Sequence, residues 1–160
     1  MDRVLREAME PVLRDLRAYG IEPGQVIEED WTEDPDRPAL VIWGVEHGCG
    51  VAVDRTDAPA VRVAEAADRV QGGAIDELWG TGPAAWPPCP LHPNTHPLWV
   101  RVEGAGDAAR AVWQCPADSV AVAAVGALAP VGPSEPRPRR PTGGLSSLTA
   151  LDQDTERRPT

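Results

Sequence analysis

Apolar residues recur at helical spacing in the first part of the chain. Residues 2–20, DRVLREAMEPVLRDLRAYG, carry charged residues between the members of one apolar stripe, which are Leu5, Met9, Val12, Leu13 and Leu16. This spacing predicts a packing helix that Gly20 ends. Pro11 lies inside it and removes one backbone hydrogen bond, so we expect a kink or a restart at that residue.

Short apolar runs then replace the helical pattern. QVIEEDW (25–31), PALVIWGVE (38–46) and VAVD (51–54) predict three strands of an antiparallel meander. The glycines of HGCG (47–50) predict a turn before the third strand. The segment EEDWTEDPD (28–36) has six acids in nine residues. It lacks the regular spacing and the glycine of a calcium-binding loop, so we interpret it as a solvated loop.

Helical spacing returns in PAVRVAEAADRVQGGAIDELWG (59–80). Gly72 and Gly73 each cost about 1 kcal/mol relative to Ala in a helix, so we expect one helix with a weak point or two short ones. LWVRVEGAGDAARAVWQCP (98–116) predicts a β-hairpin. In ADSVAVAAVGAL (117–128), Asp118 or Ser119 can cap a final short helix, which we predict, although the run also fits a strand.

These elements predict an α+β fold. In order, it has an N-terminal helix, a short antiparallel three-stranded sheet, a helix and a hairpin element. We expect a small α+β half over 1–80 and the hairpin element, packed on or beside it, over 81–129. Residues 130–160 are rich in Pro, Gly, Ser, Thr and Arg. We expect this segment to be a disordered tail, because it cannot bury enough apolar surface to order itself.

Charge narrows the choice of partners. The formal net charge is −10, and residues 1–130 hold ten Arg against 21 acidic residues. Such a surface repels phosphate backbones and anionic membranes, so a protein partner is expected and a nucleic acid is not. No apolar run is long enough for a membrane helix, and the charged N-terminus does not resemble a signal peptide. We therefore expect a cytoplasmic protein with reduced thiols.

Metal-ligand residues concentrate in one stretch, WPPCPLHPNTHPLWV (86–100). Cys89, His92 and His96 are spaced C-x2-H-x3-H, and Cys115 follows after eighteen residues, the length of the predicted hairpin. The hairpin would return Cys115 beside the other three. Two thiolates and two imidazoles form the closed tetrahedral set of structural zinc, so we predict Zn²⁺ as the cofactor. The prolines fix φ angles that pre-form the turn.

Other interpretations of this stretch stay open. A metalloprotease helix is excluded, because HPNTH lacks the glutamate base and contains Pro93. A three-ligand site completed by an acid or water, two buried thiols without metal, and a disulfide between Cys89 and Cys115 remain alternatives. We expect Trp86, Trp99 and Trp113 to cover the site. His47 and Cys49 in EHGCGV could form a reactive thiol site or supply a further ligand, but we interpret them as turn residues.

The motifs WPPCPLHPNTHPLWV and VWQCP resemble the C-terminal half of small uncharacterised proteins from high-GC bacteria. Their recurring elements are W-P-x-C-P-x-H, H-P-L and W-x-C-P, and the resemblance covers about residues 79–128. It implies a zinc-ribbon-like element on a small α+β half, and it contributes no catalytic residue.

Three functions are compatible with these sequence features. We favour a non-enzymatic interaction or regulatory protein with a structural zinc site. The alternative is a hydrolase or thiol-dependent enzyme that uses Cys49 and His47 or a partly open metal site. A nucleic-acid factor of the zinc-ribbon type is disfavoured by the acidic charge.

Overall fold

The computed structural model describes residues 1–29, 31–43, 48–78 and 86–129, and over these ranges the fold is α+β as predicted. The helices are α1 (Arg3–Ala18) and α2 (Pro59–Leu78). The first antiparallel sheet contains β1 (Gln25–Glu28), β2 (Ala39–Trp43) and β3 (Gly48–Ala52). The second contains β4 (Trp99–Glu103), β5 (Arg110–Gln114) and β6 (Ala121–Ala124). No helix in the described ranges is both long and apolar enough to cross a membrane.

Helix α1 begins at a side-chain cap and runs without a restart. Asp2 accepts hydrogen bonds from the backbone N–H groups of Val4 and Leu5, which satisfies two donors of the first turn. The predicted restart at Pro11 is wrong, because the helix continues through this residue. The proline ring serves as a packing surface instead. Gly126 lies so close to it that an added Cβ would be 2.8 Å from the Pro11 Cβ.

The first sheet corrects the interpretation of HGCG as a turn. Gly48, Cys49 and Gly50 are part of strand β3, where Cys49 pairs with Ile42 of β2. Gly50 is used for close packing, since the Trp31 indole from the β1–β2 loop lies 3.2 Å from the position of a Cβ there. His47 lies outside the described residues.

Helix α2 is a single helix that contacts α1, β3, β4 and β5. Its glycine pair does not break it. Gly73 faces β3, and a Cβ added there would be 2.7 Å from the Cβ of Cys49. The glycine therefore lets the helix approach the sheet closely.

The second sheet confirms the hairpin and corrects the final element. Strands β4 and β5 pair antiparallel around a short 3-10 turn, Gly106–Ala108. The predicted short helix after residue 118 is wrong, and the strand alternative is right. β6 pairs with β5, with Trp113 opposite Ala123. A short helix is marginal by itself because nucleation is costly and its end groups stay unpaired, whereas pairing with β5 bonds this segment to an existing strand, and tertiary context of this kind overrides local preference.

One hydrophobic core joins the two halves of the chain. It contains residues from α1, both sheets, α2 and the segment before β4, among them Leu5, Met9, Leu40, Val51, Val70, Trp86, Leu98 and Trp113. The hairpin element thus packs against the N-terminal half. The domain boundaries at 80 and 129 stay a prediction, and the predicted tail, residues 130–160, lies outside the described residues.

Candidate metal centre

Residues 86–98 form a loop that carries three of the candidate ligands, and we call it the clamp loop. Hydrogen bonds close this loop at its base. The backbone N–H of Leu98 donates to the Pro87 carbonyl at 2.7 Å, and that of Cys89 donates to the His96 carbonyl at 3.3 Å. Buried Gln71 of α2 donates through Nε2 to the Trp86 carbonyl at 2.9 Å and the Leu98 carbonyl at 2.6 Å. One helix side chain therefore holds both ends of the loop.

A tight turn inside the clamp loop brings the two histidines together. The N–H of Thr95 donates to the His92 carbonyl at 3.3 Å, and Asn94 has a φ of +63°. Proline followed by a residue with positive φ is typical of a type II turn, and Asn tolerates that conformation. The turn places the two imidazole ring centroids 5.2 Å apart.

Cys115 reaches the clamp loop from the end of β5. Two backbone hydrogen bonds close the β5–β6 connection at this residue. The N–H of Cys115 donates to the Val120 carbonyl, and the N–H of Ser119 donates to the Cys115 carbonyl, each at 2.9 Å. The hairpin thus returns Cys115 to the clamp loop, as its length predicted.

The four predicted side chains converge in a group that could hold a metal ion. One ligand atom from each of Cys89, His92, His96 and Cys115 lies within 4.8 Å of all the others, and we call this group the Cys/His cluster. His92 Nδ1 is 3.3 Å from the Cys115 Sγ and 3.8 Å from the Cys89 Sγ. Tetrahedral zinc with ordinary bond lengths places nitrogen and sulfur ligands about 3.6 Å apart, between these two values.

His96 provides independent geometric evidence. Its Nδ1 lies 2.9 Å from the carbonyl oxygen of Pro97. Since a carbonyl only accepts, this nitrogen carries the proton and Nε2 keeps its lone pair. Nε2 is buried and has no hydrogen-bond partner among the described residues. Buried polar atoms are normally satisfied, so a lone pair without a partner at this position suits a metal ion.

The cluster is enclosed on its sulfur side and reaches solvent on its His92 side. Cys89 is 1% exposed and Cys115 is 0% exposed, and no disulfide joins them. The His92 side chain is 34% exposed, and its Nε2 lies 3.6 Å from Oδ2 of Asp118. Sequence reasoning assigned Asp118 only to a helix cap. The available signal was its position three residues after Cys115 in the sequence CPAD.

Two of the three predicted tryptophans belong to the core beside the cluster. Trp86 and Trp113 are buried and meet edge to face, with centroids 5.6 Å apart and planes at 75°. Trp99 does not cover the site as expected, because it is 49% exposed, with the guanidinium carbon of Arg101 5.3 Å from its ring centroid. It lies one residue before Val100 on β4. Alternation of side chains along a strand therefore places it on the opposite face from that buried residue.

Trp113 also contacts a buried carboxylate, Asp15, which the sequence analysis did not predict. Asp15 of α1 is 1% exposed, and its Oδ2 accepts from the Trp113 indole N–H at 2.7 Å and the Gly126 N–H at 2.6 Å. Oδ1 accepts from the Leu128 N–H at 2.9 Å. The carboxylate therefore fixes α1 to β5, two residues before Cys115, and to the segment after β6.

The other proposed thiol site differs from its prediction. Cys49 lies within β3 rather than in a turn, is half-buried, and its Sγ donates to the Arg69 carbonyl at 3.2 Å. Among the described residues it is not part of the Cys/His cluster. Its predicted partner His47 falls in the undescribed segment 44–47.

Comparison of this chain with protein-family models, with curated proteins and with solved structures finds no match. The resemblance drawn from the motifs of residues 86–116 therefore stays a prediction.

Proposed function

We propose that this protein is a cytoplasmic, non-enzymatic interaction or regulatory protein whose C-terminal half is held by one structural zinc ion. Two thiolates and two imidazoles are a common ligand set for structural zinc. The observation that carries the proposal is the pair of nitrogen–sulfur distances at His92, together with the unpartnered buried Nε2 of His96.

The donor set supports a structural role over a catalytic one. A catalytic zinc ion needs an open coordination position for water or substrate, and four protein ligands leave none. Zinc at such a site contributes on the order of 10 kcal/mol, comparable to the stability of a small domain. In this chain that free energy would hold a proline-rich loop against α2 and the second sheet.

The proposed partner is another protein, since a net charge of −10 opposes association with nucleic acids. A gel-shift experiment with DNA at low salt tests this exclusion. We expect no shift at micromolar protein, and a salt-sensitive shift would instead favour the nucleic-acid factor.

Metal analysis of the purified protein tests the zinc site. We expect about one zinc per chain, and we expect Cys115→Ser to lose both the zinc and thermal stability, because the folded site supplies folding free energy. Cys49→Ser is the matched control, since it also replaces a thiol and lies outside the cluster. A wild-type protein without bound zinc after purification and zinc addition would contradict the proposal, as would equal zinc content in the two variants.

Alkylation of the native, zinc-loaded protein tests the enzymatic alternative. Cys49 is half-buried in β3 against Gly73, which weighs against an exposed nucleophile. We expect slow labelling at Cys49 and at the two cluster cysteines. Fast labelling of Cys49 without release of zinc would favour a thiol-dependent enzyme.

A further inference from the structure

We propose that Asp118 is the positioning residue for His92, orienting its ring so that Nδ1 faces the metal and so setting the affinity of the site. This inference rests on the proposed zinc site and assigns a role to a residue outside its ligand set. Metal-bound histidines usually donate their second ring N–H to a carboxylate or carbonyl, which fixes the ring orientation and raises ligand basicity.

Each histidine of the cluster has an oxygen near its second ring nitrogen, a backbone carbonyl for His96 and a carboxylate for His92. His96 donates from Nδ1 to the Pro97 carbonyl at 2.9 Å, so it would bind the metal through Nε2. His92 brings Nδ1 close to the two sulfurs, so its Nε2 would carry the proton when Nδ1 binds the metal. The carboxylate beside that Nε2 is Asp118, whose Oδ2 lies 3.6 Å from it.

The separation of 3.6 Å is longer than a direct hydrogen bond. A small change in the Asp118 side-chain torsions would close it, because this side chain is half-exposed and has room to move. A bound zinc ion would strengthen the interaction by polarising the His92 ring toward a better N–H donor.

The backbone of the β5–β6 connection holds Asp118 on the cluster side. The hydrogen bonds from Ser119 to Cys115 and from Cys115 to Val120 close this loop. The Gln114 side chain adds a third bond, donating from Nε2 to the Ser119 carbonyl at 3.1 Å. Ser119 adopts a φ of +57°, a left-handed conformation that non-glycine residues rarely take. The same loop thus presents Cys115 and Asp118 together, with Oδ2 3.9 Å from the Cys115 Sγ.

Zinc affinity measured by competition with a chromophoric chelator tests the role of Asp118. We expect Asp118→Ala to lower the affinity about 10- to 100-fold, the usual effect of removing an outer acceptor. Asp118→Asn should recover part of that loss, because its amide oxygen still accepts from Nε2. Asp107→Ala is the matched control, removing an exposed acid from the β4–β5 turn, and should leave the affinity unchanged.

The spectra of the cobalt-substituted proteins show whether Asp118 acts through His92 or is itself a ligand. We expect wild type and Asp118→Ala to give the same tetrahedral cobalt spectrum, since the four ligands are unchanged. A spectrum that changes its coordination in the variant would overturn the inference, because Asp118 would then be a ligand itself.

Two affinity results would also overturn it. One is Asp118→Ala within about threefold of wild type, below the usual effect of such partners. The other is an equal loss in Asp107→Ala, which would indicate general surface charge. If wild type binds no zinc at all, the proposed function fails. If wild type binds zinc and only these comparisons fail, the role of Asp118 alone is refuted.

Discussion

Removal of the buried Asp15 carboxylate should destabilise the protein more than any surface charge change. Asp15→Ala leaves three donors without an acceptor in the core, the Trp113 indole and the backbone N–H groups of Gly126 and Leu128. Each buried donor left unpaired costs about 1–3 kcal/mol. Relaxation and entry of water reduce the sum, so we expect a loss of about 3–5 kcal/mol.

A loss of this size is a large share of the 5–15 kcal/mol of a typical domain. Asp15→Asn removes the negative charge of the side chain and keeps its shape. Its amide keeps one acceptor oxygen, but its NH₂ group faces at least one N–H donor, so we expect a loss of about 2–4 kcal/mol. Glu7→Ala is the matched control on the same helix, because its exposed carboxylate forms a surface ion pair with Arg3 at 3.5 Å. It should cost less than about 0.5 kcal/mol for the lost pair.

Urea unfolding of the zinc-loaded proteins, followed by tryptophan fluorescence, measures these differences. The midpoint shift multiplied by the slope of the transition gives the change in unfolding free energy. A change of less than about 1 kcal/mol for Asp15→Ala would refute the reasoning, because even one buried unpaired donor should cost that much. A loss no larger than that of Glu7→Ala would refute it as well.

Two further predictions concern other contacts of the fold. Gly73→Ala should destabilise the protein by about 1–2 kcal/mol, because a Cβ 2.7 Å from the Cys49 Cβ overpacks the α2–β3 contact and outweighs the gain in helix propensity. Gly72→Ala, where no atom of the described residues lies within 4 Å of the new Cβ, should instead stabilise by up to about 1 kcal/mol, and thermal unfolding of both variants checks the opposite signs. The hydrogen bond from Arg55 lowers the pKa of Asp2 below its ordinary 3.8. As the pH falls, the Asp2 carboxylate is therefore protonated in the unfolded state before it is protonated in the folded state. The stabilisation from the Asp2–Arg55 pair is lost as the pH falls below about 3.8. Asp2→Asn keeps the helix cap, so its stability deficit should be present at neutral pH and disappear in acid, and a deficit independent of pH would contradict this assignment.

Local pattern in the sequence was sufficient for much of the fold. The apolar stripe of residues 5–16 predicted α1, and alternating or continuous apolar runs predicted the first sheet and the β4–β5 hairpin. These features depend on the repeat of side-chain direction along a helix or strand, which neighbouring residues determine. The convergence of the Cys/His cluster was predictable for a related reason, since hairpin length and ligand spacing together limit where Cys115 can lie.

The glycines and the segment of residues 117–128 could not be interpreted from local pattern. Gly50 and Gly73 looked like a turn and a helix break, yet each makes room for a side chain distant in sequence, Trp31 and Cys49. The run before Leu128 fits a helix or a strand equally, and only the unpaired edge of β5 selected the strand. Such choices depend on what lies across the core, which the sequence does not state locally.

The sequence by itself determined the α+β class, the main helices and strands, and the four side chains that converge. Tertiary structure alone decided the surroundings of the histidine nitrogens, because the Pro97 carbonyl lies beside Nδ1 of His96 and Asp118 lies beside Nε2 of His92. It also decided that Asp15 is buried, because three N–H donors from β5 and the 126–128 segment surround it. The physical reason is common to both. A polar atom's role depends on the partner that reaches it, and these partners come together only when the chain folds.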